Sequence, residues 1–151
     1  MEIRPLSPTE TPPYDLLLLA DPSRPMIDEY VKQGKCFLLE ESGTVIGVYV
    51  LLQTRPGTVE LMNIAVAETH QGKGLGKKLL LHAVEQGRAG AYQTIKVGTG
   101  NSSFAQLALY QKAGFRITGI DRDFFTRNYE EEIWENGIRC RDMIRLEREL
   151  P

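Results

Sequence analysis

The residues with the clearest chemical potential lie together in Gln71-Gly72-Lys73-Gly74-Leu75-Gly76, between an apolar run ending in Ile64-Ala65-Val66 and the start of a predicted helix. Glycines accept positive φ and let a backbone approach a phosphate closely. Unpaired amides at the start of a helix point at an anion, and the helix dipole favours negative charge there. Lys73, Lys77 and Lys78 add positive charge. The stretch therefore reads as a phosphate-binding loop. Two familiar phosphate motifs fail on it. A P-loop ending at Gly76-Lys77 needs Gly at position 71 and Ser or Thr at 78, where Gln71 and Lys78 stand. A dinucleotide fingerprint starting from Gly72 and Gly74 needs its third glycine at Lys77, and Gly76 comes one place early. Several strand-like segments also precede the loop, whereas that fingerprint follows the first strand. What remains is Q-x-x-G-x-G after a buried strand.

The elements that must position this loop follow from the apolar pattern. Residues 2–6 read as a strand, 14–20 as a short helix, and 26–33 as a second helix stopped by Gly34. Residues 35–41 and 44–53 form a predicted hairpin around Ser42-Gly43, and 58–66 a third buried strand. Leu75, Leu79, Leu80, Ala83 and Val84 recur at spacings of three and four, which gives a helix over 76–88 with one apolar face. A strand over 94–97 leads to a predicted turn at 98–101. Ser102 or Ser103 then caps a helix carrying Phe104, Leu107, Leu109 and Tyr110, with Phe104 and Leu107 buried alongside Tyr110. Residues 115–120 and 138–146 are the last predicted strands, separated by a segment mixing aromatic and charged residues. The order implies one domain over 1–151, a mixed α/β or α+β sheet with helices packed on it.

Composition excludes several classes. Eighteen basic and 20 acidic side chains leave a net charge of −2, which argues against a nucleic-acid partner. The N-terminal residues lack the apolar core of a signal peptide. The apolar run over 16–20 is far shorter than the ~20 residues that cross a bilayer, so no membrane partner is expected. Cys36 and Cys140 lie far apart without metal-ligand spacing, and His70 and His82 have no partners for a metal site. Two free thiols fit a reducing, cytoplasmic setting.

Beyond the loop, Glu60-Leu61-Met62-Asn63-Ile64-Ala65-Val66 and Leu109-Tyr110-Gln111-Lys112-Ala113-Gly114-Phe115 carry a joint signal. With Gln71–Gly76 and the order of strand, loop, helix, strand and helix, the chain resembles the GNAT superfamily of acyl-CoA-dependent N-acyltransferases, well over residues 35–120 and by pattern alone over 1–34. The resemblance implies a mostly antiparallel sheet of about seven strands flanked by about four helices. It implies transfer of an acetyl group from acetyl-CoA, as cosubstrate, to an amine by direct attack in a ternary complex, without a metal. The strand backbone over Ile64, Ala65 and Val66 would pair with the pantetheine arm, and amides of Gln71, Gly72, Lys73, Gly74, Leu75, Gly76 and Lys77 would hold the pyrophosphate. Tyr110 would protonate the departing thiolate, a role that suits a phenol of ordinary pKa near ~10. Glu60 matches a glutamate that serves as base in some members, and an apolar strand setting would suit it. Strict alternation puts Glu60 on one face with Met62 and Ile64, and Asn63 on the other.

The chain departs from the family pattern where an asparagine usually precedes the tyrosine by seven positions. Ser103 stands there, and Asn101 lies nine before Tyr110, so either is a candidate cofactor contact or a helix cap. Asp121, Asp123, Phe124, Phe125, Tyr129, Glu130, Glu131, Glu132 and Trp134 mark the segment where the acceptor amine would be chosen, where a solvated helix would lie, or where a homodimer would form. A longer acyl donor and a catalytically silent CoA-binding module are the alternatives to an acetyltransferase.

Overall fold

In the computed structural model, which describes residues 1–151, the chain runs β1 (Glu2–Pro5), α1 (Tyr14–Ala20), α2 (Arg24–Gln33), β2 (Lys35–Glu41), β3 (Thr44–Arg55), β4 (Thr58–Val66), α3 (Leu75–Ala89), β5 (Thr94–Gly100), α4 (Phe104–Lys112), β6 (Arg116–Asp121), α5 (Phe124–Asn128), β7 (Trp134–Glu135), β8 (Ile138–Arg139) and β9 (Met143–Glu149). One seven-stranded sheet has the order β1-β2-β3-β4-β5-β9-β6, and β7 and β8 form a separate hairpin. Within the large sheet only the β4–β5 pair is parallel. The mixed, mostly antiparallel architecture matches the expectation from sequence. No helix is long and apolar enough to cross a membrane.

Each face of the sheet carries its own core. On one face α3 buries Leu75, Leu79, Leu80, Ala83 and Val84 against Val59, Leu61, Ile64, Val66, Ile95 and Val97. Each such large side chain removed from water contributes roughly 1.5–3 kcal/mol, so α3 is fixed by its apolar stripe. On the other face Leu16, Leu17, Ile27 and Tyr30 of α1 and α2 cover Leu38, Val48, Val50 and Ala65.

The alternation expected along β4 breaks at Met62. Val50 pairs with Asn63 and Leu51 with Leu61, so Met62 is an extra residue opposite β3. A bulge of this kind reverses which face the following residues occupy. Val59 and Leu61 before it, and Ile64 and Val66 after it, all belong to the α3-side core. Glu60 and Asn63 consequently share the α1–α2 face, which corrects the assignment made from period two.

Three other departures lie toward the C-terminus. The predicted turn at 98–101 is instead the end of β5, which stays paired with β9 through Gly100 and Met143. The last long strand is Met143–Glu149 and inserts between β5 and β6, so local pattern placed it about five residues early. Ile138 and Arg139 instead close the small hairpin with Trp134 and Glu135 around Asn136 and Gly137, both at positive φ (55° and 75°). Asn-Gly is the residue pair that a tight hairpin turn favours, a local signal that the sequence does contain. Finally, Phe104 is 49% exposed and Leu107 only half-buried, so Tyr110 is the one fully buried side chain of α4.

Candidate active site

β4 and β5 run side by side only from Thr58–Thr94 to Leu61–Val97. Beyond that point β4 follows β3 and β5 follows β9, so the two strands separate and leave a gap between residues 62–66 and 98–100. The Ala67 amide donates to Ile46 O at 2.8 Å. Hydrogen-bonded and non-bonded positions alternate along an antiparallel pair, so Val66 and Ile64 turn their N–H and C=O groups away from β3 and into this gap. Of these groups, Val66 O accepts from Gln71 Nε2 at 2.9 Å, which ties the following loop to the strand end.

That loop carries its own set of free donors. Gly72 and Gly74 sit at φ 79° and 78°, a region that side-chain-bearing residues avoid. Gly74 is the residue before α3, and no side chain caps the helix. The first helical bond there is Lys78 N to Gly74 O, 3.1 Å, so the amides of Gly72 through Lys77 have no partner in the chain. Nothing lies within 4 Å of where a Cβ would stand on Gly72 or Gly74. Open amides, a helix N-terminus and exposed Lys73 and Lys77 together form a cradle for an anion. His70 is partly buried and bridges Thr69 Oγ1 (2.9 Å) and the Glu41 carboxylate (3.1 Å) at the loop mouth.

Tyr110 is 3% exposed, on the α3 side of the gap, with its ring 5.9 Å from that of Phe115. Burial pushes its phenol above the ordinary value, so it carries its proton at neutral pH. Glu60 lies on the other side. Its carboxylate is held by both terminal nitrogens of Arg145, at 2.8 and 3.3 Å. This is not the apolar setting expected for Glu60, because β9, inserted next to β5, brings a guanidinium to it. The two candidate catalytic side chains thus lie on opposite faces of the sheet, and the β4–β5 gap is where those faces open to each other.

Asn101 and Ser103 are brought to the end of β5, but their side chains are engaged by the tail. Asn101 Oδ1 accepts from the amides of Arg141 (2.8 Å) and Asp142 (3.0 Å), and its Nδ2 donates to Arg139 O (3.2 Å). Ser103 precedes α4 without capping it and donates to Glu135 at 2.7 Å. With Asn136 Nδ2 on Ser102 O (2.8 Å), these bonds clamp the β7–β8 hairpin onto the β5–α4 junction.

A second polar network joins Tyr129, from the segment singled out in the sequence, to Asp21, Tyr30 and Asn63, whose pairing the sequence did not show. Asp21 is buried and accepts from Tyr30 Oη (3.0 Å), Tyr129 Oη (2.8 Å) and the Ser23 amide (3.0 Å). Asn63, 4% exposed on β4, donates to Tyr30 Oη (2.9 Å) and Leu17 O (3.0 Å). Burial, followed by the Asp21 charge, raises the Tyr129 phenol, so both tyrosines remain donors to the carboxylate. Tyr129 also stacks on Phe125, 5.7 Å between centroids, and Phe124 meets Phe125 edge-on at 5.1 Å. Phe124, Phe125 and Tyr129 of the 121–142 segment are therefore packed together and tied through Tyr129 to Asp21 at the end of α1, while Trp134 stays exposed on the hairpin. Among its carboxylates, Asp121, Glu132 and Glu135 are occupied by Arg127, Arg139 and Ser103, and Glu130 and Glu131 stay exposed outside this pairing. Nowhere in the chain do three or more His, Cys, Asp or Glu side chains gather as a metal site. A cavity of about 450 Å³ opens between Gly34, Phe37, Leu51 and Gln86, toward the C-terminal end of α3 and away from the cleft.

Residues 4–115 match the acetyltransferase (GNAT) family. A Bacillus subtilis protein described as an uncharacterised N-acetyltransferase, YvbK, is 59% identical over 133 residues, which is 88% of this chain and 86% of that protein. A solved structure described as an IAA acetyltransferase from Bacillus cereus superposes with a TM-score of 0.95 at 60% identity, over 99% of both chains. A GNAT family acetyltransferase from Elizabethkingia anophelis, solved with acetyl-CoA bound, superposes with a TM-score of 0.97 at 49% identity, over 99% of this chain and 97% of that one.

Proposed function

The chain belongs to the GNAT family of acetyltransferases and is an acetyl-CoA-dependent N-acetyltransferase; on that premise we propose how its own residues carry the transfer to a primary amine. The observation that carries the proposal is the pairing of two sets of free main-chain groups along one line. Ile64 and Val66 offer an open strand edge, which suits the amides of a pantetheine arm lying as an added strand. The amides of Gly72 through Lys77 lie beyond it, where a pyrophosphate would meet them. The acetyl-CoA complex of the Elizabethkingia anophelis protein supports this reading.

In the proposed reaction a neutral amine attacks the thioester carbonyl within a ternary complex. The C–N bond forms, the C–S bond breaks, and the departing thiolate takes the proton of Tyr110, which then recovers one from solvent. The proton lost by the amine leaves toward Glu60, whose geometry Arg145 fixes through two hydrogen bonds. Asn101 and Ser103 serve the cofactor indirectly in this scheme, by holding the β5–α4 junction closed. The acceptor enters from the α1–α2 face, between that layer and the 121–142 segment, and Glu130 and Glu131 favour a cationic approach. The absence of any membrane-crossing helix and of any cysteine pairing fits a cytoplasmic enzyme.

Thiol release from acetyl-CoA, measured with a panel of small and peptide amines, tests the function. Release with at least one amine is expected. Tight CoA binding with no thiol release from any amine would replace this reading with a silent CoA-binding module. Glu60→Gln is expected to slow turnover steeply near pH 7 and less at high pH, and an unaltered pH–rate profile would remove Glu60 from the chemistry.

A further inference from the structure

Glycine inside a strand weakens it, and it often marks a place where another group lies close against the backbone. A Cβ on Gly47 in β3 would press into the buried side chains of Leu39 and Leu79, so the core itself requires glycine there. Gly98 in β5 is a different case. Its φ lies outside the left-handed region, so its backbone conformation is open to other residues. A Cβ on Gly98 would meet Met143 Sδ at 2.5 Å and Arg145 Nη1 at 2.8 Å, both toward the ends of flexible side chains on β9. Neither Met143 nor Arg145 belongs to a core cluster.

The bare backbone at Gly98 admits a side chain that crosses the strand. β5 separates β9 from β4, which puts roughly 10 Å between the strands that carry Arg145 and Glu60. Arg145 stands opposite Gly98, and Glu60 stands beside Lys96. Lys96 and Gly98 share one face of β5 by alternation, so Arg145 and Glu60 lie on that face together. The guanidinium passes over Gly98 and reaches the Glu60 carboxylate with Nη2 at 2.8 Å and Nη1 at 3.3 Å. Nη1 also lies 3.3 Å from Met143 Sδ. The nitrogen that a Cβ at position 98 would crowd is therefore one of the two that hold the carboxylate. Two N–H groups from one planar guanidinium fix the orientation of that carboxylate. The Glu60 side chain stays 16% exposed, so an amine can still reach it. Pairing of β4 with β5 ends at Leu61–Val97, which places the crossing at the lip of the cleft.

We propose that Gly98 is a positioning residue of the acetyl transfer. Its missing side chain admits the Arg145 guanidinium over β5, and that guanidinium sets the Glu60 carboxylate where the acceptor amine delivers its proton. The proposal rests on Glu60 as the group that receives this proton. Arg145 keeps its own protons throughout and acts only by holding the carboxylate.

Thiol release from saturating acetyl-CoA tests this, with the fastest acceptor among tyramine, spermidine, glycinamide and an alanyl peptide. Gly98→Ala should lower kcat about tenfold, because a displaced guanidinium misplaces the proton acceptor. Folding by circular dichroism and CoA affinity by calorimetry should match the parent, since the crowded groups are flexible ends that can move aside. In a Glu60→Gln background the same substitution should change kcat by less than about twofold, because the group it acts through is gone. Arg145→Lys, which keeps the charge and loses the fork, should repeat both results. An equal fall in both backgrounds would mark Gly98 as a packing residue and overturn the proposal, as would a parental kcat in Gly98→Ala. If Glu60→Gln leaves kcat unchanged, or no amine releases thiol, the proton route through Glu60 falls together with this role. A slowed Glu60→Gln with no coupling to position 98 removes the role of Gly98 alone.

Discussion

On one side of the cleft the groups left open belong to the main chain, the strand edge of Ile64 and Val66 and the free amides from Gly72 to Lys77, and these are the groups proposed to meet the cofactor. On the side proposed for the acceptor the polar groups are side chains gathered from four separated stretches, Asp21, Tyr30, Asn63 and Tyr129, bonded to one another. A main-chain site tolerates almost any side chain provided the backbone can take the required φ. A side-chain network depends on each member. The same enzyme therefore holds a site whose sequence demand is a few glycines, and facing it a site whose demand is spread over 109 residues from Asp21 to Tyr129.

This contrast can be broken by substitutions that act on one side only. The largest effect is expected at their meeting point, where Tyr110→Phe should lower kcat about a hundredfold, in line with loss of a general acid, with CoA affinity unchanged in calorimetry. A kcat within twofold of the parent would assign Tyr110 to packing alone. Next comes Gly74→Val, which forces a branched residue to φ 78°. CoA binding should weaken by about tenfold or more, equivalent to about 1.4 kcal/mol, while the acceptor KM stays near its parent value. A matching rise in acceptor KM would show that the two halves do not separate. Tyr129→Phe should do the reverse. It removes one hydrogen bond worth about 1 kcal/mol, loosens the 121–142 segment from Asp21, and should raise the acceptor KM several-fold without altering CoA binding.

The smallest effect is expected at His82, outside both halves, where the ring meets Tyr49 Oη at 2.6 Å and packs edge-on against Phe37. Burial lowers its pKa, so the unfolded chain takes up a proton more readily than the folded one. The resulting stability is complete above the ordinary histidine value of about 6.5 and is lost as pH falls through the lower, folded value. His82→Gln should flatten the decline of Tm between neutral and mildly acidic pH, and an identical decline in both proteins would exclude this residue as its source.

The loop after β4 was legible because its signal is local. Glycines at 72, 74 and 76, a buried strand before them and an amphipathic helix after them all sit within one stretch, and backbone φ depends on the residues themselves. The face of α3 was legible for the same reason, since five apolar residues at helical spacing define it. The hairpin at Asn136-Gly137 was equally local and was overlooked among its charged neighbours.

The remaining features depend on partners distant in sequence. Nothing within Glu60–Val66 marks Met62 as a bulge, because a bulge exists only relative to β3, and the face of Glu60 changes meaning with it. Nothing near Glu60 shows Arg145, which arrives because β9 inserts beside β5 and not after β6. Asn101 and Ser103 carry polar groups suited to a cap or a ligand, and tail residues more than thirty positions away claim them. The amino-acid sequence by itself determined the open glycine loop and the helix that follows it, since propensity and φ are properties of neighbouring residues. Tertiary structure alone decided which side chains share the α1–α2 face, since strand register and insertion order are set by the packing of the whole sheet.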